Sequence, residues 1–383
     1  MFSEFIGTNL PGPLVVRTNL YVRSISDIND KKMEYSVQLT FRQQWKDERL
    51  KYNDVAGQLK YVNLDDPSKI WLPDTFFPNE ISGHFHDLLQ PNNLLRIYPD
   101  GEVLHSVRIS LRLFCPMNLA NFPFDRQVCG LTIASYAHTT EDIVFIWKQG
   151  DPVQVSRSLH VEQFALTKFL TDYCTSRTTT GEYACLKVDF MFERNTNEFV
   201  VKVYMPCVML VLVSWVVLWL SNKNTAVRIL VPLAVLLLMA NMVARLNQEQ
   251  FPRTSYTKAV DTWTGTCLTF VFLLLLYVTT VDYVARVTNS GATSAHSRDE
   301  SKASYSELTE CVGYGLSGCV VEEEASKASP GSSTFQQALR AFFRRPRTLP
   351  DKMDFGARIA FPACFCLFLI IYFSVHGGGS ADE

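Results

Sequence analysis

The chain has 383 residues, with 36 Lys and Arg against 38 Asp and Glu and a formal net charge of -2. That balance offers no general basicity for nucleic acid, and none is expected as a partner. The apolar content of 47% is the mean of two unlike halves, a mixed-polarity half over residues 1–198 and a second half dominated by long apolar runs.

The first residues, MFSEFIGTNLPGPLVV, lack the basic start and apolar core of a secretory leader, so the numbering is expected to begin near a mature or engineered N-terminus. Strands follow. In EYSVQLTFRQQW, Tyr35, Val37, Leu39 and Phe41 alternate with polar residues; in VLHSVRISLRLFC, Val107, Ile109, Leu111 and Leu113 do; in ACLKVDFMFER, Leu186, Val188, Phe190 and Phe192 do. Alternation at period two buries one face of each strand, and many such strands with frequent turn residues predict a β-sandwich. The faces carrying Arg42 and Arg108 are basic, and periodicity alone reads them as solvated.

The four cysteines of this half fall as two pairs. Cys115 and Cys129 bracket a loop containing Phe122-Pro123-Phe124-Asp125, and Cys174 and Cys185 bracket TSRTTTGEYA, which reads as a hairpin tip with Gly181 at the turn. Closing the first loop stabilises the fold by about 3 kcal/mol on a chain-entropy estimate. Paired cysteines fit an oxidising compartment.

Four apolar segments, 201–220, 226–246, 260–284 and 356–375, are each long enough for a helix to cross a bilayer. Residues 285–355 separate the last two and are expected to be cytoplasmic, because they end in a basic stretch with Arg340, Arg344, Arg345 and Arg347. The tract from Thr288 to Pro330 is rich in Ser, Ala, Gly and Glu and is expected to be disordered, and residues 335–347 read as a basic amphipathic lead into the fourth span. Four spans place both termini, including the 376–383 tail, on the outer side of a plasma membrane. No nucleophile triad, paired-carboxylate motif or phosphate loop is visible, so neither an enzyme nor a cofactor is expected.

A thirteen-residue cysteine loop containing FPFD, in a β-rich domain ahead of four spans, resembles the Cys-loop pentameric ligand-gated ion channels. The stretches FRQQWKDERLKY, IWLPDTFFPNE, HFHDL, LLRI and CPM, with the extra cysteine pair in the hairpin, are similar to the glycine receptor and invertebrate glutamate-gated chloride channel branch. The resemblance implies an extracellular β-sandwich followed by a four-helix transmembrane bundle, five such subunits around a pore, and ligand sites between neighbours. One subunit would present Phe77, Tyr136, Thr180 and Tyr183, and the next Arg42, Ser106 and Arg108. Arginines suit a carboxylate and aromatic faces an ammonium, so a small amino acid such as glycine or glutamate is the expected ligand. The match departs at Ala134 and Thr40, where relatives place an acid and an aromatic residue. His84 and His86, two apart, share a face if extended and would form a modulatory zinc site. The same resemblance implies a coupling zone of Asp30, Phe124, Asp125, Arg194 and the turn 251–256.

In the family the second span lines the pore. On a helix, Leu230, Ala234, Leu237, Asn241 and Ala244 recur at alternating steps of four and three and share one face. The preceding SNKNTAVR holds Lys223 and Arg228 and no acid. It is expected to make the inner mouth positive and favour anions. The alternatives left open are a channel of altered stimulus, cation-conducting or poorly conducting, and a membrane-anchored binding protein without a pore.

Overall fold

The computed structural model describes residues 12–53, 59–220, 224–249, 251–252, 254–310 and 349–376. The chain divides into two compact units. Of the described residues, the first comprises those within 12–200 and 249–261, and the second those within 201–248 and 262–376.

The first unit is a two-sheet sandwich. One sheet runs β10-β1-β2-β7-β6-β3, with β5 also on β7 and β9 also on β1; the other runs β11-β12-β8-β4. The long strands are β1 (Leu14–Asn29), β2 (Glu34–Lys46), β7 (Glu102–Phe114), β8 (Arg126–Ser135), β11 (Phe164–Thr178) and β12 (Gly181–Arg194). Shorter ones are β3 (Val62–Asn63), β4 (Thr75–Phe76), β5 (Glu80–Phe85), β6 (Asn93–Ile97), β9 (Ile143–Trp147) and β10 (Val153–Val155). The alternating apolar residues of β2, β7 and β12 are all buried between the sheets, as period-two patterning requires. Tyr35 ties the layers together by donating from its hydroxyl to the Gly130 carbonyl at 3.0 Å. Burial, assisted by Asp189, raises its phenol well above the usual range. Both cysteine pairs are bonded, Cys115 to Cys129 and Cys174 to Cys185, and the second pair sits directly opposite in the β11–β12 register.

Among the described residues four helical stretches are long and apolar enough to cross a membrane, Asn197–Trp219, Thr225–Gln248, Ala259–Thr288 and Pro350–His376. Helix α1 (Met205–Val216) is entered through a widened turn, Val200–Tyr204. Its cause is Pro206, which has no N–H to give the Lys202 carbonyl. Helix α2 (Thr225–Glu249) runs through Pro232. Helix α3 (Ala259–Glu310) continues far beyond its expected end at 284. The expectation of disorder from Thr288 is corrected as far as Glu310. From Ala292 to Glu310 there is neither Gly nor Pro, so nothing local stops a helix already nucleated inside the span. Helix α4 (Leu349–His376) begins seven residues before the expected span at 356. Residues 311–348, including the tract to Pro330, the basic lead and its four arginines, lie outside the described residues, as does the 377–383 tail.

Candidate functional site

The sandwich carries two chemically distinct surfaces. The first lies at the ends of β4, β8 and β12. Register pairs Cys185 with Ala134 and Ala134 with Phe76, and Tyr183 and Tyr136 lie two residues beyond Cys185 and Ala134 respectively. The Tyr136 ring is three-quarters exposed and stands edge-on to Phe76, with centroids 5.6 Å apart. Thr180 and Tyr183 share a hydroxyl–hydroxyl hydrogen bond of 2.9 Å. Phe77 is not part of this group; it is buried and packs edge-on against Phe41 at 5.7 Å. Phe77 follows directly after β4, and Phe76, the last residue of that strand, is half-buried and is the one that meets Tyr136.

Asp74 fixes this surface. Its carboxylate accepts from the Ser135 hydroxyl at 2.8 Å and from the Tyr136 and Ala137 amides at 3.1 and 2.6 Å. Sequence reasoning quoted the Leu-Pro-Asp step without assigning Asp74; a Pro-Asp before an aromatic pair is a turn signal that could have marked it. The hairpin tip is held too. The Thr140 amide donates to the Glu182 carbonyl at 2.8 Å. Gly181, at φ +149°, lies so close to Thr139 that a Cβ would come within 3.0 Å of its methyl.

The second surface is the outward face of the larger sheet. Arg42 lies opposite Ser106 and Thr40 opposite Arg108. Arg42 donates to the Asn19 side chain at 3.0 Å, and Arg108 to the Gln38 side-chain oxygen at 2.8 Å. Arg23 joins them, donating to the Thr40 hydroxyl at 2.9 Å. Register slips between Val22 and Ser24, so Arg23 is a bulge residue. A bulge re-aims a side chain, and simple alternation along β1 therefore misses it. Among the described residues none of the three guanidinium groups has a carboxylate within 4.0 Å, and the Arg108 Nε is buried without a hydrogen-bond partner. Three unneutralised arginines, Arg23 exposed and Arg42 and Arg108 half-buried, form an anion-receptive surface.

The two surfaces do not meet within one chain. The basic face points away from the sheet that bears Tyr136 and Tyr183, so a ligand touching both needs a second copy or a different partner.

His84 and His86 flank the basic face, with ring centroids 5.3 Å apart. His86 contacts the Ser110 hydroxyl at 2.8 Å and the Gln38 amide nitrogen at 3.2 Å. Burial, then Arg108, His84 and Arg23, lower its pKa, with Asp87 opposing. Among the described residues no group of three His, Cys, Asp or Glu is arranged to hold a metal, so the pair has no third donor of that kind.

At the base of the sandwich Arg194 is engaged from two sides. It makes a two-pronged ion pair with Asp125 at 2.8 and 3.2 Å and a third contact to Asp30 at 3.2 Å. Its guanidinium lies 4.6 Å from the Phe122 ring centre and 4.4 Å from that of Phe164. Phe122, fully buried, supplies the aromatic anchor and packs on Phe199 and Phe251; Phe124 is half-buried beside it. The segment between α2 and α3 docks on the cysteine loop. The Leu119 amide donates to the Tyr256 hydroxyl at 2.8 Å, Ala259 to the Ala120 carbonyl at 2.9 Å and Val260 to the Phe122 carbonyl at 3.1 Å. Within the turn 251–256, Arg253 lies outside the described residues.

On α2, Leu230, Ala234, Leu237, Asn241 and Ala244 are all exposed in the single chain and form one stripe. Asn241 donates its amide back to the Leu237 carbonyl at 2.9 Å. Arg228 does not belong to this stripe. It is buried with Pro232, Val235 and Met239, and its Nη2 donates to both carboxylate oxygens of Asp354 of α4, each at 2.9 Å. The expectation of Arg228 as a pore-lining charge is therefore corrected: two residues advance a helix by about 200°, so Arg228 and Leu230 face opposite ways. Lys223 lies outside the described residues.

The family model for the neurotransmitter-gated ion-channel ligand binding domain matches residues 7–196, and that for the neurotransmitter-gated ion-channel transmembrane region matches residues 203–347. A glutamate-gated chloride channel of Drosophila melanogaster is 44% identical over 95% of this chain and 85% of its own length. A glutamate-gated chloride channel subunit beta of Haemonchus contortus is 39% identical over 95% of this chain and 84% of its own. A sandwich with a disulfide-closed loop, four membrane-spanning helices and an aromatic and a basic surface that need a neighbour to meet thus agrees with what whole-chain similarity indicates, and the chain belongs to the neurotransmitter-gated ion channels, a family of pentameric multi-pass membrane proteins that bind small transmitters and are not enzymes.

Proposed function

We propose that this chain is a subunit of a glutamate-gated chloride channel of the plasma membrane, able to assemble as a homopentamer. The ligand sits between the Phe76–Tyr136–Tyr183 surface of one subunit and the arginine face of the next. The observation that carries this reading is the set of three unneutralised arginines, Arg23, Arg42 and Arg108. Glycine has one carboxylate, whereas glutamate has two, so a face with three guanidinium groups favours the dicarboxylate. The aromatic rings opposite then meet the ammonium. Relatives named as glutamate-gated chloride channels support the same choice.

Both disulfides lie before the first span, which favours an outer location for the sandwich and, with four spans, for the C-terminus. Chloride selectivity rests on the relatives, since Arg228 is neutralised by Asp354. Expression of the chain alone in oocytes should give glutamate-evoked currents reversing at the chloride potential. Arg42→Ala should raise the half-maximal glutamate concentration about 10- to 150-fold, the equivalent of one charge-assisted hydrogen bond of about 1.5–3 kcal/mol. Currents that follow sodium, or an Arg42→Ala curve that overlies the parent's, would reject the assignment.

A further inference from the structure

The alternation that turns Arg42, Ser106 and Arg108 outward turns Phe41, Gln43, His105 and Val107 inward. Between this inner face and the segment carrying Phe76 and Phe77 lies a cavity of about 390 Å³, within the size range of small-molecule sites. Protein interiors pack like organic crystals, so a gap of this size is not ordinary core. Its walls are apolar, and Phe41, Phe77, Ile109 and Leu111 are each less than a tenth exposed. It opens at the edge strand β5, beside Glu80, His84 and Phe85. Gly83 sets the closeness of that edge, because a Cβ there would come within 2.8 Å of the Leu111 side chain.

Two polar side chains interrupt the apolar lining from within. Gln43 is engaged, donating to the Thr75 hydroxyl at 2.6 Å. The His105 side chain makes no hydrogen bond among the described residues. Burial lowers its pKa, so at neutral pH it presents one donor and one acceptor nitrogen. A half-buried imidazole whose ring nitrogens have no hydrogen-bond partner among the described residues, facing a mostly apolar space, suits a ligand that is mostly ring and has one hydroxyl.

We propose that this cavity is a second ligand site, separate from the transmitter interface, for a small apolar ring compound whose single hydroxyl hydrogen-bonds to His105. An occupant would press on the back of β2 and β7, whose front carries the arginines, and on Phe76, which lines the cavity and stands against Tyr136. Occupancy therefore modulates transmitter sensitivity.

The test needs no agonist, so its failure is separable from failure of the glutamate assignment. Val107→Cys places a thiol of nearly the original size on the wall. Purified full-length receptor is treated with benzyl methanethiosulfonate, and labelling of position 107 is read from its peptide mass. Benzyl alcohol should slow labelling about five-fold more than toluene at equal concentration, the difference one hydrogen bond of about 1 kcal/mol makes. Adding His105→Phe should make the two protectants equal. Leu111→Cys repeats the measurement from another wall should the first variant not assemble. A thiol that does not react at either position, or equal protection by benzyl alcohol and toluene with His105 intact, overturns the proposal.

Discussion

A residue's role here is decided by the face it occupies. Arg228 sits among apolar residues in the sequence and reads as a mouth charge, but the helix turns it toward α4 and Asp354. Removing one member of a buried pair leaves the other uncompensated, at about 3–5 kcal/mol. Arg228→Gln should therefore cut surface expression, measured by biotinylation, while the surviving current keeps its reversal potential; the Arg228→Asp, Asp354→Arg exchange should recover expression. A shifted reversal potential in Arg228→Gln would return Arg228 to the ion path. His86 offers a pH test. Its pKa is lowered by burial and the neighbouring arginines, so it is neutral at pH ~7.5 and gains a proton only as pH falls below the usual histidine range. Protonation adds positive charge beside Arg108, so acidification to pH ~5.5 should strengthen binding of an anionic agonist. His86→Gln should flatten that dependence, and an agonist curve that weakens on acidification would contradict it. The shared outward face of Arg42, Ser106 and Arg108 was legible because regular alternation assigns it, while the ligand role given to them came from the resemblance alone. Arg23 was not, because a bulge breaks the count, and Phe76 was not, because sequence cannot say which of two adjacent aromatics faces in.

Elements were read well where patterning is long and regular, and less well where a helix ends. Strands β2, β7 and β12 announce their buried faces through unbroken alternation, and the four spans through length and hydropathy. The end of α3 was misjudged because Ser- and charge-rich composition suggests disorder, while a stretch free of Pro, with Gly291 as its one glycine, permits continuation to Glu310. The docking of the α2–α3 segment on the cysteine loop was legible only through resemblance, since backbone hydrogen bonds from Ala259 and Val260 leave no residue signature. The resemblance implies that the Arg194 cluster couples ligand binding to opening, which a conservative substitution can test. Arg194→Lys keeps the charge but loses the planar two-pronged contact with Asp125. It should assemble, bind labelled glutamate normally and yield less than about a tenth of the parent current, a deficit of more than 1.4 kcal/mol in opening. Undiminished current at equal surface expression would reduce the cluster to a static brace.

At the scale of the molecule, the two surfaces lie on different sheets of one sandwich, so on the proposed assignment a single subunit holds two halves of different sites. Complementation can test this directly. Tyr183→Ala removes the aromatic half and leaves the basic face; Arg42→Ala does the reverse. Expressed alone, each should require far more glutamate than the parent. Expressed together, mixed pentamers contain interfaces at which an intact aromatic surface from the Arg42→Ala chain meets an intact basic face from the Tyr183→Ala chain. A component with parental sensitivity should then reappear in the concentration–response curve, its amplitude changing with the ratio of the two messages. Were the ligand held within one chain, every subunit in the mixture would carry a damaged site, and no such component could arise at any ratio.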